Sequence, residues 1–510
     1  MSFSKVHSAQ ISLLSAKIID IEVDLSRGLH SFSVVGLPDK AVEESRDRVS
    51  ASIKNSGYDS PKSKNQKVVI SLAPASLKKE GPNFDIGIAL GYLLATGDIS
   101  FNPSDKIFLG ELSLNGNLRS IRGTLALTRE AQQKGFKEIF IPQQNAQEAA
   151  LVEGIQAYPV NTLQEVITHL LNTSGNNKKH RIQPTTYKSL PSTNINTNED
   201  FCFIKGNETA KRGLEIASVG KHNVALFGPP GTGKTMLARS FPTILPELSR
   251  EEALEVTAIH SIAGILDQPL ISTPPVRSPH HTSSYVSLIG GGSFPKPGEV
   301  TLAHNGVLFL DEFPEFDRRV LESLRQPLED KRVSISRAQG TAQFPANFIL
   351  IAAMNPCPCG NFGSDKECTC NPSAIMRYQR KISGPIIDRI DLWIEVAKVE
   401  HKQLLSRDTA ETSSQIRERV LQAIQFKQQR EGGVPARKTA NHTNLTDTIH
   451  MTKEASELLI SSAKKLNVSA RTYLKIAHIA RTIADLDQNY SLEKRHLLEA
   501  FQYRPKQNTL

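Results

Sequence analysis

GPPGTGKTMLA, residues 228–238, decides the fold of this 510-residue chain. It follows the apolar run Val224–Phe227 and leads into the helix-like TMLARS. Strand, glycine-rich turn and helix start in the spacing Gly228-x4-Gly233-Lys234-Thr235 make a phosphate-binding loop. Across Gly228, Pro229, Pro230, Gly231, Thr232 and Gly233 the backbone curls with its N–H groups turned inward. Lys234 then reaches the β and γ oxygens of ATP, and the Thr235 hydroxyl ligates Mg2+.

Two further apolar runs complete a hydrolytic set. GVLFLDEF, residues 306–313, ends in two carboxylates. The first, Asp311, is placed to hold Mg2+, and Glu312 to orient or deprotonate the attacking water. FILIAAMN, residues 348–355, ends at Asn355, whose amide can position water near the γ-phosphate. Three such strands in order, each ending in a suitable group, predict an α/β nucleotide-binding core.

Length and composition bound the rest. A chain of 510 residues exceeds a single compact core, so two or three domains are expected. With 39% hydrophobic and 22% charged residues it reads as an ordinary globular protein. No run of about 18 apolar residues exists, and the first 25 residues lack a signal-peptide pattern, which predicts a cytoplasmic protein and no membrane partner. The formal net charge is +9. Residues 1–171 hold 18 basic and 18 acidic groups, whereas residues 401–510 hold 18 basic against 11 acidic. The basic excess therefore sits near the C-terminal end, where it is either an attractor for a polyanion such as DNA or a solvated helix surface.

Residues 1–171 alternate strand-like runs (IIDIEVDL, HSFSVVGL, KVVISLAP, EIFIP) with helical patterns (AVEESRDRVSASIKNSG, FDIGIALGYLLATG). Residues 172–200 are polar and rich in Asn, Ser and Thr, and read as a linker. Residues 201–399 carry the nucleotide motifs, and 400–510 read as helical, with candidate helices in LTDTIHMTKEASELLISSAKKL, ARTYLKIAHIARTIADL and LEKRHLLEAFQY.

The strings GPPGTGKT, LFLDE and AAMNP resemble an AAA+ ATPase. GGGSFPKPGEVTLAHNGVLFLDEFPEF, LRQPLEDKRVSISRA and ISGPIIDRIDL narrow the resemblance to the magnesium-chelatase-like branch, from about residue 203 to 505. That resemblance implies Asn355 as sensor 1, Arg389 as an arginine finger acting on a neighbouring subunit, and Arg471 as sensor 2 of a C-terminal helical lid. It implies a hexameric ring, since a finger in trans needs a neighbour. By analogy with related motors, Lys296 in the insert before Asp311 and the hairpin residues Lys331, Arg332 and Arg337 become candidate DNA contacts. Without the resemblance these are ordinary surface charges.

The front region resembles the proteolytic domain of Lon-type proteases, a ribosomal-S5-domain-2-like fold, in KKEGPNFDIGIALG and FLGELSLNGNLRSIRGTLALTREAQQKGFKEIFIP. Such sites use a serine after Gly-Pro and a lysine further on. Here Asn83 follows Gly81-Pro82, and Leu125 falls at the lysine position. Neither can act as acyl nucleophile or base, so the fold is expected without peptidase activity.

Four of five cysteines lie in CPCGNFGSDKECTC: Cys357, Cys359, Cys368 and Cys370. Two C-x-C pairs can converge into a four-sulfur site suited to structural Zn2+, or remain free thiols in a tight loop. Cys202 reads as a small buried residue, and His280-His281 as loop structure rather than a metal site.

Front domain, linker and chelatase-like core together resemble the YifB family over nearly the whole chain. This implies an ATP-driven, hexameric branch-migration helicase that helps integrate incoming single-stranded DNA by homologous recombination during natural transformation, with single-stranded and branched DNA and recombination proteins as partners. Two alternatives stay open: a chelatase-type ATPase serving a metal-insertion partner, set apart by its lack of the front domain, and an ATP-switched scaffold without DNA transport.

Overall fold

A computed structural model describes residues 2–173, 181–187, 199–292, 296–337, 340–362, 366–399, 410–432, 449–466 and 469–505. The chain forms two compact units, both mixed α/β. One comprises residues 1–191 with 253–271, the other 192–252 with 272–510.

In the first unit, strands β1 (Phe3–Ser12), β2 (Ser15–Arg27), β3 (Ser31–Val35), β4 (Gln66–Ala73), β5 (Lys106–Phe108), β8 (Glu138–Pro142) and β9 (Gln156–Val160) form one sheet. Their order is β3-β4-β2-β1-β5-β8-β9. A two-strand ladder, β6 (Glu111–Leu112) with β7 (Leu118–Arg119), stands beside it. β2 runs antiparallel to β1 and β4, and the other pairings are parallel. Period-two alternation splits the side chains between two apolar clusters. Phe108, Phe140 and Tyr158 lie in register on one side and stack at 5.1 and 4.9 Å between centroids. Ile107, Ile139 and Ala157, one residue earlier on each strand, belong to the other cluster. Both faces are thus covered, which is what a largely parallel sheet requires.

The helices that cover the sheet begin and end on local chemistry. Asp39 caps Lys40–Asn55 by accepting from the Val42 N–H, and Gly97 in the left-handed region ends Asp85–Thr96. The two helices are tied by a buried ion pair, Arg48 donating from Nε and Nη2 to Asp85 at 2.8 and 3.1 Å. Burial lifts the Asp85 carboxyl to about 6, against the pull of Arg48. At Gly123 (φ 71) an added Cβ would lie 2.6 Å from Ile11 and 3.2 Å from Ile262. Its N–H donates to Ser261 Oγ at 2.9 Å. Residues 253–271, part of the long stretch between Lys234 and Asp311, are thereby built into this unit.

In the second unit β10 (Val224–Phe227), β11 (Val276–Arg277), β14 (Val307–Leu310), β17 (Ile349–Met354) and β18 (Leu392–Glu395) form a parallel sheet in the order β11-β14-β17-β10-β18. Every residue of β10, β14 and β17 is buried, so these strands read as unbroken apolar runs. Two small ladders project from the connections: β12 (Gly290–Gly291) with β13 (Lys296–Pro297), and β15 (Arg332–Arg337) with β16 (Gly340–Pro345). The helices Lys453–Lys465, Ala470–Leu486 and Lys494–Gln502 send Leu459, Ile476, Ile483 and Leu497 into the same core as Ile394 and Val396. The helix Ser413–Arg430 joins them, started by a capping box in which Thr412 and Gln415 satisfy each other's backbone N–H. No described helix is long and apolar enough to cross a membrane.

Candidate nucleotide site and its surroundings

The carboxyl ends of β10, β14 and β17 converge, and that is where a parallel sheet accepts a ligand. Beyond Phe227 the chain passes so close to β18 that a Cβ on Gly228 would lie 2.3 Å from the Val396 carbonyl oxygen. Gly231 (φ 77) and Gly233 (φ 93) take left-handed backbone, with nothing within 4 Å of where a side chain would begin. The loop is therefore open on the side where phosphate would lie. Thr232 closes it internally, its hydroxyl donating to the Pro229 carbonyl at 3.0 Å.

Lys234 opens the helix Lys234–Ser240 and is buried. Its Nζ donates to the carbonyls of Gly228 and Pro229 at 2.7 Å each and to Asn355 Oδ1 at 3.1 Å. Burial pushes the ammonium down to about 8, opposed by Asp311. The Thr235 hydroxyl donates to Asp311 Oδ2 at 2.9 Å. Phosphate donors, a lysine held by neutral oxygens and a hydroxyl–carboxylate pair thus meet in one pocket, and this set fits Mg2+-ATP.

Glu312 is exposed and takes φ 51, a left-handed conformation uncommon for a non-glycine residue and frequent at functional sites. Its N–H donates to Asp311 Oδ1 at 2.9 Å, and its Oε2 lies 3.0 Å from His281 Nδ1. Sequence reasoning missed this partner. Adjacent histidines in a loop carried no signal, and the contact depends on how residues after β11 fold back.

Arg389 and Arg471 are brought together elsewhere. Both reach Glu329, Arg389 through Nη2 to Oε2 and Arg471 through Nη2 to Oε1 at 3.3 Å. Arg389 Nη1 also donates to the Pro385 carbonyl at 2.7 Å. Glu329 is the second residue that sequence reasoning did not single out, although it lies within the quoted LRQPLEDKRVSISRA.

Of the candidate DNA contacts, Lys296 is exposed at the start of β13 opposite Gly291. Lys331 and Arg332 stand at the base of the β15–β16 hairpin; the Lys331 N–H donates to Pro327 O, and its carbonyl accepts from the Ala346 N–H. Arg337 pairs with Gly340 at the far end, and its side chain lies outside the described residues.

The four cysteines after Asn355 do converge. Their Sγ atoms lie within 4.8 Å of one another, the one metal-type cluster among the described residues. In the first unit, the Asn83 carbonyl accepts from the Gly110 N–H, and Leu125 is buried in the first turn of the helix Thr124–Gln133, its N–H on Glu148 Oε1 at 2.8 Å. Cys202 is half-buried behind Asp200, which caps its N–H at 2.8 Å.

Comparison with known proteins agrees with this geometry. The family described as Magnesium chelatase, subunit ChlI matches residues 200–404, and its C-terminal counterpart matches 410–504. A third family, Subunit ChlI of Mg-chelatase, matches residues 21–145. A family named for the chelatase subunit thus reaches into the front region, so that region does not by itself separate this chain from chelatases. Competence protein ComM of Haemophilus influenzae is 40% identical over 507 residues, covering 99% of this chain and 98% of that protein. The uncharacterized protein YifB of Escherichia coli is 39% identical over 509 residues, 99% of this chain and 97% of that protein. Lon protease 2 of Bacillus subtilis is 31% identical over 189 residues, 31% of this chain and 33% of that protein. A P-loop core in a chain matched over 99% of its length by the first two of these relatives leaves one assignment: the chain belongs to the ComM/YifB family of proteins with magnesium-chelatase-like ATPase domains.

Proposed function

We propose that this chain is an ATP-hydrolysing DNA motor, a cytoplasmic, hexameric branch-migration helicase that promotes integration of incoming single-stranded DNA by homologous recombination during natural transformation. The observation that carries the reading is full-length similarity to Competence protein ComM, combined with an intact hydrolytic set in one pocket. Residues 201–399 act as the AAA+ core, 400–510 as the helical lid and 172–200 as a linker. Residues 1–171 act as a Lon-like, ribosomal-S5-domain-2-like domain that cleaves no peptide, because Asn83 and Leu125 stand where serine and lysine would be needed.

ATP with Mg2+, when bound, supplies the anhydride whose hydrolysis drives the work. Thr235 and Asp311 hold the ion, Lys234 and the backbone of 228–235 hold the phosphates, and Asn355 positions water. Glu312 takes the water's proton. Arg389, which shares Glu329 with Arg471, is the finger offered to a neighbouring subunit's γ-phosphate, and Arg471 is sensor 2 of the lid. Lys296, Lys331, Arg332 and Arg337 contact DNA. The four cysteines form a closed structural site for Zn2+.

A labelled four-way or three-strand junction tests the reading. Resolution with ATP, and none with a non-hydrolysable analogue, is the expected result. Absence of DNA binding with either nucleotide overturns it and supports a chelatase-type ATPase acting on a metal-insertion partner, which the three chelatase-named family matches favour. DNA binding without ATP-dependent resolution points to a scaffold, against which the full hydrolytic set argues.

A further inference from the structure

The segment from Asn355 to Tyr378 leaves the nucleotide pocket and returns to it. It leaves at the end of β17, where Asn355 touches Lys234. It passes through all four clustered cysteines and enters the helix Pro372–Gln379, capped by Asn371 accepting from the Ala374 N–H at 2.7 Å. That helix carries the buried Tyr378, whose hydroxyl is held above its ordinary value by burial, with the Asn355 backbone pulling the other way.

The cluster has the dimensions of an ion site. Cys357 Sγ lies 3.4 Å from Cys359 Sγ and 3.8 Å from Cys368 Sγ, and the last two are 3.6 Å apart. Four sulfurs at ~2.3 Å around Zn2+ would be separated by ~3.8 Å. The Phe362 N–H donates to Cys357 Sγ at 3.3 Å, the kind of outer hydrogen bond that orients a metal ligand. Inside this knuckle Gly360 takes φ 82, and a Cβ there would lie 2.6 Å from Pro230 Cδ and 3.8 Å from Asn355 Cγ. The turn that carries the sulfurs therefore packs against the phosphate-binding loop at Pro230 and passes close to the amide beside Lys234.

We propose that Cys357, Cys359, Cys368 and Cys370 bind one Zn2+, and that this ion, by fixing Gly360 against Pro230, holds Asn355 in place for hydrolysis. The cluster is a positioning device for the ATP site, and the inference rests on the reading of that site given above. Binding converts four thiols to thiolates and releases their protons, with no change of oxidation state. Removal of the ion loosens the turn and lets the Asn355 amide drift, which slows turnover more than it weakens nucleotide binding, because Lys234 and the glycines stay in place.

The test uses the full chain. Metal content is measured first, then the ion is displaced with an organomercurial and restored with thiol and Zn2+. ATP kcat and KM, and equilibrium binding of a fluorescent ATP analogue, are followed at each stage. The expected result is about one Zn2+ per chain, a kcat ~10- to 100-fold lower after displacement, KM within about threefold, and recovery on restoration. C370S should behave like stripped protein, whereas C370H, which restores a fourth ligand, should retain metal and turnover.

Should stripped protein unfold, G360A separates the two claims, since it keeps all four sulfurs while crowding Pro230. Full metal with reduced kcat supports the linkage, and full metal with wild-type kcat overturns it. Fewer than about 0.2 Zn2+ per chain in protein never exposed to chelator overturns the metal site. Zinc-loaded protein that binds no ATP at all would instead refute the nucleotide reading.

Discussion

Lys234 and Arg389 are cations expected to face the same kind of phosphate, yet their surroundings differ. Lys234 is buried and has its donors matched within its own loop and by Asn355. Arg389 leans on Glu329 together with Arg471, and its Nε has no hydrogen-bond partner among the described residues. The first site is finished inside one chain. The second is held by a carboxylate that is half-exposed, and in the ring proposed above it would meet the phosphate of another copy. Local chain geometry builds the first, and the proposed assembly would complete the second.

The largest effect that can break this contrast is in trans. Arg389→Ala should lower turnover ~10³-fold with ATP affinity within about threefold, because the finger acts on charge developed in the transition state. Mixing it with Lys234→Ala should restore part of the activity, each copy supplying what the other lacks. No recovery in mixed assemblies, measured as phosphate release, would mean that Arg389 does not act across a subunit boundary. Lys234→Ala should weaken ATP binding itself by ~10²-fold, read by fluorescence titration, since a buried charged donor is lost.

A smaller effect concerns His222, just before β10. It is largely enclosed, its side chain 12% exposed, with Nε2 3.0 Å from Thr482 Oγ1 and Nδ1 3.9 Å from Asp391 Oδ2. Burial holds the imidazole down at about 4, aided by Lys427, His478 and Lys475 and opposed by Asp391. Its folded value lies below the unfolded one, so the unfolded chain binds more protons between these values. Stability is therefore lost as pH falls from about 6.5 toward 4, by ~2 kcal/mol between pH 7 and 5. Urea titrations at the two pH values should show that loss, and His222→Gln should flatten it.

The smallest effect is at Glu329. Glu329→Ala should move the melting temperature by no more than about 2 °C, because a half-exposed pair contributes little. Turnover should hold or rise. A fall would show that the carboxylate aims the two arginines.

How much of this was legible in sequence follows the same division. Where one short run carries a strand and the groups at its end, the sequence marks residues that the structure brings together: Lys234 with Asn355, Thr235 with Asp311, and the four cysteines. β2, β4 and β8 were legible as apolar runs, whereas β1, written SKVHSAQI with polar residues throughout, was not marked as a strand. The helix Ser413–Arg430 was not singled out, although T-S-S-Q at 412–415 carries a capping-box signal. Contacts between distant loops, such as His281 on Glu312 and Arg389 with Arg471 on Glu329, have no local pattern to reveal them.

One feature of the first unit bears on how such a protein can be taken apart. Since Ala253–Ile271 completes that unit, with Ser261 on Gly123 and Ile262 beside it, the polypeptide visits it twice. A cut within 172–200 would not release two self-sufficient parts, for the nucleotide-binding part would carry away Ala253–Ile271, which belongs to the other. Joining the front segment to an unrelated domain would leave Gly123 and Ile11 without the Ser261 and Ile262 that cover them.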